Sequence, residues 1–209
     1  MVVSAYTDQR FRGYSLSDGR PVAILDLSYD ASNGIYAAAS GLVVGARDDG
    51  LKGLGVTLNG GYAKAIRPSL TLDIGAVHSR YSRYSGFIGS DSYTEVYAGL
   101  SSKYVGARLS VSPNYIGAAH WTAHGEINGH VDVTRSLLVD GSLGILAPVG
   151  RRGYQNGAHP QWDARIGLSQ RLGPVMLHAA VTARGRSPAS YTYRSHGRAA
   201  LVLGISRAL

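Results

Sequence analysis

Cysteine is absent from the 209 residues. That removes thiol nucleophiles, disulfide frameworks and Cys-based zinc sites together, and it suits a protein exported unfolded through an oxidising compartment. Charged residues are scarce at 16% against 44% apolar ones, yet no apolar run approaches the roughly 18 residues that a membrane helix requires. A helical membrane protein is therefore excluded. Phenylalanine is nearly missing, with 2 residues against 14 Tyr and 28 Gly, a bias toward strand formers, tight turns and amphipathic aromatics. The N-terminus, Met1-Val2-Val3-Ser4-Ala5-Tyr6, lacks the basic and apolar regions of a signal peptide. We read it as a mature start in which Met stands where a signal was removed. No linker or shift of composition divides the sequence, so residues 1–209 are expected to form a single domain. The net charge of +8 comes from 21 Lys and Arg scattered singly and never clustered, so no nucleic-acid partner is expected.

What is present is period-two alternation, repeated about a dozen times between Gly, Pro, Asn, Asp and Ser punctuation. From His120 to Thr134 the odd positions are Trp121, Ala123, Gly125, Ile127, Gly129, Val131 and Val133, while the even ones are all polar. Segments 104–112, 161–171, 175–186 and 198–209 repeat the pattern. Segments 3–16, 21–30, 35–45, 54–65, 69–81, 92–102, 104–112, 119–134, 136–147, 161–171, 174–186 and 197–209 read as twelve strands. Their connections alternate between tight ones, as at Ala31–Gly34 or Leu172-Gly173-Pro174, and longer ones at 46–53, 82–91, 113–118, 148–160 and 187–196.

An even strand count, dyad hydrophobicity and alternating turn lengths are the pattern of an all-β transmembrane antiparallel up-and-down barrel. A soluble sandwich or barrel would also alternate, but its apolar face would point inward and carry bulky aliphatics without a dozen charges opposite. Here the apolar faces are rich in Ala, Gly and Val and the polar faces in charge. In lipid, only closure satisfies every backbone group of a sheet. The expected location is the bacterial outer membrane.

Tyr6-Thr7-Asp8-Gln9-Arg10-Phe11-Arg12-Gly13-Tyr14-Ser15, with Pro21 following, resembles the N-terminal signature of the TorF family, exported Gram-negative proteins described as porins. Gly34-Ile35-Tyr36-Ala37, Gly61-Tyr62, Asp73-Ile74-Gly75 and Tyr93-Thr94-Glu95-Val96-Tyr97-Ala98-Gly99 extend the resemblance through the first half. It implies a barrel and a pore of unspecified solute. The C-terminus departs from the usual outer-membrane ending, with Arg207 at an apolar position and Leu209 in place of an aromatic.

Taking polar faces as lumen places Asp8, Arg10, Arg12, Asp26, Asp73, Glu95, Arg108, Glu126, Asp132, Asp140, Asp163, Arg165, Arg171, Arg184, Arg186 and Arg198 inside. Unpaired arginines there would favour small anions, whereas pairwise neutralisation would leave a weakly selective or plugged barrel. The expected function is a narrow passive channel for small solutes, anionic ones above all. A structural barrel of a larger outer-membrane complex and a lipid-modifying enzyme are the alternatives.

No catalytic residues are assigned: G-x-S-x-G is missing, and the adjacent pairs Ser195-His196 and His78-Ser79 point to opposite strand faces. His120, His124 and His130 share a face, but residues four apart on a strand lie roughly 13 Å apart, so no metal site or cofactor is expected. Tyr81, Tyr84, Trp121, Tyr154, Trp162, Tyr191 and Tyr193 are expected in an aromatic girdle. Arg47, Arg80, Arg83, Arg151, Arg152 and Arg194 are placed to meet lipopolysaccharide phosphates. The partners are thus lipid, lipopolysaccharide, small solutes and other outer-membrane proteins.

Overall fold

The computed structural model describes residues 1–46, 50–86, 92–117, 120–155, 158–186 and 197–209. In chain order the strands are β1 (Val2–Tyr6), β2 (Arg10–Phe11), β3 (Tyr14–Ser15), β4 (Val22–Asp30), β5 (Ile35–Ala46), β6 (Gly50–Arg67) and β7 (Leu70–Tyr81). They continue as β8 (Ser92–Ser101), β9 (Val105–Ser112), β10 (Thr122–Asp132), β11 (Leu137–Pro148), β12 (Gln161–Leu172), β13 (Val175–Arg184) and β14 (Ala199–Ala208). All but β2 and β3 form one closed antiparallel barrel of twelve strands, β1 joining both β14 and β4. A helix at Arg151–Gln155 and a 3-10 turn at Tyr115–Gly117 are the helical pieces among the described residues.

Alternation sets which face looks out. On β10, Thr122 and His124 are buried while Ile127 is 61% exposed, and Trp121, Val131 and Val133 flank it on the same outer face. Leu58, Ile74, Leu109, Leu143, Ile166, Leu168, Leu201 and Leu203 are exposed all around the wall. A soluble monomer rarely exposes contiguous apolar patches beyond a few hundred Å². A continuous apolar band on a closed barrel is the surface that lipid requires.

The first strand is shorter than its pattern predicts. Segment 3–16 leaves the wall after Tyr6, and residues 8–17 fold into the lumen as the hairpin β2–β3, paired Phe11↔Tyr14 and Arg10↔Ser15. Arg12 and Gly13 both take positive φ, 49° and 74°, the backbone of a type I′ turn. The hairpin brings its own apolar residues, so the long-loop end of the lumen is not polar throughout. Leu16 packs with Tyr81, Tyr93, Tyr115, Ile116 and Leu146, Phe11 lying against them. Val22, Ile24, Leu42, Val44 and Leu54 form a second cluster, touched by Tyr6 and Tyr84. Tyr81 is therefore an interior residue and not part of the girdle. Trp121, Tyr154 and Trp162 do lie exposed near the long loops, and Tyr29, Tyr62 and Tyr104 near the short turns. Tyr191 and Tyr193 lie outside the described residues.

Candidate functional site

Beneath the hairpin lies a cavity of about 660 Å³. Its walls come from strands all round the barrel, because every strand turns its polar side inward. Arg10, Arg12, Asp26, Glu95, Arg108, Glu126, Asp163 and Arg165 line it, with Asp8. Asp73 stands beside them, bonded to Arg108 at 3.0 Å, and Arg184 is buried against the hairpin. Asp132, Arg171, Arg186 and Arg198, expected inside, are exposed and do not line the cavity. They sit at or beyond strand ends, where the inward face of the pleat opens to water.

Each of the four arginines lining the cavity meets a carboxylate. Arg10 donates to Asp8 at 2.7 Å, Arg12 grips Glu95 through two bonds of 2.8 and 2.9 Å, Arg108 reaches Asp73, and Arg165 reaches Asp140. Charges confined away from bulk water must pair or stay hydrated, and here they pair. The lining arginines are thus neutralised, while Asp26, Glu126 and Asp163 meet only Ser40, Asn128 and His124 among the described residues, so cationic character lies elsewhere. Among the described residues, Arg80, Arg83, Arg151, Arg186 and Arg198 are exposed at the long-loop end, without an exposed carboxylate there. Arg47 and Arg194 lie outside the described residues, as do the side chain of Arg152 and the pair Ser195-His196.

The hairpin crosses the lumen from wall to wall. Glu95 belongs to β8, five strands from β1 around the ring, and Arg12 spans that distance. On the other side the Tyr14 hydroxyl donates to Gln161 on β12, and the Arg184 guanidinium of β13 lies 4.2 Å from the Tyr14 ring centre. Gly13 is required twice over: its φ favours glycine, and a Cβ would sit 2.7 Å from Arg184 Cβ. Phe11 and Tyr115 stack on the Arg12 guanidinium at 4.7 and 4.9 Å. At the base, Asp8 accepts from Arg10, Ser15 and Ser17, the last at 2.8 Å, which ties both hairpin strands to one carboxylate.

Toward the short turns a polar lattice lines one wall. Tyr36 donates to Asp73 at 2.6 Å and meets the Tyr97 hydroxyl, which donates to Asn59 at 3.0 Å. These tyrosines lie over Gly61 and Gly75, where a Cβ would come within 2.5 Å of a hydroxyl oxygen. Elsewhere His178 bridges Ser169 and Ser206 at 2.9 and 2.8 Å, and His124 meets Asp163 at 3.0 Å. The partners of these histidines lie on other strands, so sequence spacing could not find them. His78 is exposed and Ser79 buried, on opposite faces as alternation requires.

Solved structures share this fold. The NanC porin matches with a TM-score of 0.67 at 12% identity, covering 100% of this chain and 99% of that one. The KdgM porin matches at 0.61 and 10% identity, with 100% and 99% covered. KdgM in complex with disordered oligogalacturonate matches at 0.57 and 11%, with the same coverage. The fold is that of outer-membrane porins, and the apolar outer band fits the barrel to the bacterial outer membrane. No curated protein is similar enough in sequence to count as a match. The TorF name does not appear in the family that the whole chain matches. The chain belongs to Gcw_chp, a bacterial family of unknown function, whose model spans residues 1–207.

Proposed function

We propose that the chain forms a narrow passive channel for small solutes in the outer membrane, with the hairpin 8–17 as its constriction and a mild anion preference set at the outer rim. One observation carries the reading: a closed barrel encloses a polar, charge-lined cavity of about 660 Å³ and narrows it with a segment of its own chain. Eight strands just fill with side chains, so twelve leave space that needs a constriction to be selective. With the interior arginines all paired, anion preference falls to the exposed rim arginines, whose field raises the local concentration of anions. The same arginines suit lipopolysaccharide phosphates. The similar porin bound to oligogalacturonate makes a carboxylated oligosaccharide a fitting test solute.

Refolded protein in planar bilayers should give a small conductance, and a salt gradient a reversal potential favouring anions. Cation selectivity would remove the rim argument. Silence in well-folded protein would remove the channel and leave the structural-barrel and lipid-modifying readings.

A further inference from the structure

We propose that the lumen holds a divalent transition-metal site of the zinc class, built from His124, Glu126 and Asp163. Glu126 on β10, Gly144 on β11 and Asp163 on β12 stand opposite one another in one cross-strand row. Because the middle position is glycine, the row has a gap, and side chains from both flanks fold over it. A Cβ at Gly144 would lie 2.5 Å from His124 Nε2 and 2.8 Å from Asp163 Oδ2. One imidazole nitrogen and one oxygen from each carboxylate lie within 4.8 Å of one another. A tetrahedral zinc site needs donors about 3.4 Å apart, from metal–ligand distances of about 2.1 Å, and the His124–Asp163 pair is already at 3.0 Å.

The surrounding charges favour a cation in that gap. Two carboxylates so close repel each other unless a positive charge joins them. The two arginines in register with them have other partners. Arg108, opposite Glu126, donates to Asp73 at 3.0 Å and lies 4.2 Å from the Tyr97 ring centre. Arg184, opposite Asp163, donates to the Gly185 carbonyl at 3.2 Å and covers Tyr14. Asp163 is left to the imidazole, and Glu126 accepts a long bond of 3.4 Å from Asn128. One nitrogen and two carboxylate oxygens form a donor set for Zn²⁺ or Co²⁺ more than for Ca²⁺, which takes oxygen alone. All three ligands line the cavity, so an ion can reach them from the lumen.

The test uses full-length protein without a polyhistidine tag, refolded in detergent, with folding read from heat-shifted gel mobility and far-UV CD. Zn²⁺ titrated calorimetrically should bind saturably at one equivalent per barrel, and Co²⁺ should develop visible bands that Zn²⁺ abolishes. His124→Ala, Glu126→Gln and Asp163→Asn should each weaken binding at least about a hundredfold, since loss of a mere outer partner already costs about 10- to 100-fold. Gly144→Ala should weaken it too, by filling the gap with a methyl group while all three ligands stay in place, whereas replacing His130 or His159, both exposed and away from the cavity, by Ala should leave it unchanged. Absence of stoichiometric binding in folded protein overturns the proposal, as does binding that survives both His124→Ala and Asp163→Asn. Metal binding is read directly, so neither outcome depends on whether the barrel conducts.

Discussion

Glu95→Gln is the sharpest probe of the constriction. The wild-type carboxylate receives two bonds of 2.8 and 2.9 Å from Arg12, and the two side chains are 6% and 7% exposed. Removing one partner of a buried pair leaves the other charge uncompensated, at about 3–5 kcal/mol. At about 1.4 kcal/mol per decade, that shifts the equilibrium between seated and displaced hairpin by about two to nearly four decades. Phe11 and Tyr115 remain against the guanidinium and hold part of it, so the lower figure applies, about a hundredfold. Single-channel recordings should show openings of larger conductance that the wild type rarely visits. The double variant Arg12→Met with Glu95→Gln removes both charges, and it should recover much of the seated state, because replacing a whole buried pair is nearly neutral. A folded Glu95→Gln barrel with wild-type conductance and open-state noise would refute the constriction role of the hairpin.

Two further outcomes are expected. Ile127→Arg places a charge on the lipid face of β10 and should cost about 2–4 kcal/mol in urea unfolding from vesicles, whereas Ser142→Arg, on the cavity wall, should fold normally; equal losses would reject the inside-outside assignment. In the loop before β10, burial lowers the pKa of His120, so as pH falls below about 6.5 the unfolded chain takes up a proton that the folded one resists, and stability declines. Thermal midpoints should drop between pH 7.5 and 5, and His120→Asn should flatten the slope; an unchanged slope in the variant would exclude His120 as its cause.

The barrel was legible in the sequence because its cause is local. Alternation along 119–134 or 161–171 follows from the pleat, and lipid outside with polar groups inside fixes its phase. The hairpin was hidden inside that same signal. Asp8, Arg10 and Arg12 alternate with neighbours as a wall strand would, and nothing in a period of two says whether a segment pairs with β14 or turns inward. The cue was Arg12-Gly13, which breaks a strand with two residues of positive φ, together with Ser17-Asp18-Gly19-Arg20, a short connection where the alternation of turn lengths calls for a long one. Most of the N-terminal stretch that resembles the TorF signature, Tyr6 to Ser15, therefore lies in the hairpin that closes across the lumen. Asp132, Arg171, Arg186 and Arg198 fall outside the cavity for the complementary reason, since alternation continues to and past the point where the wall ends.

By itself, the sequence determined a closed barrel, its strand number, its lipid-facing side and a charged interior, all of which depend on neighbours two residues apart. Only the tertiary structure decided which charges meet. Arg12 finds Glu95 and Tyr14 finds Gln161 across 83 and 147 residues of chain, and Asp163 takes His124 in preference to Arg184, its partner in register. Such choices are made by register, by gaps at glycines such as Gly144 and by the path of one inserted hairpin. They are properties of closure, which brings together residues that no local period relates.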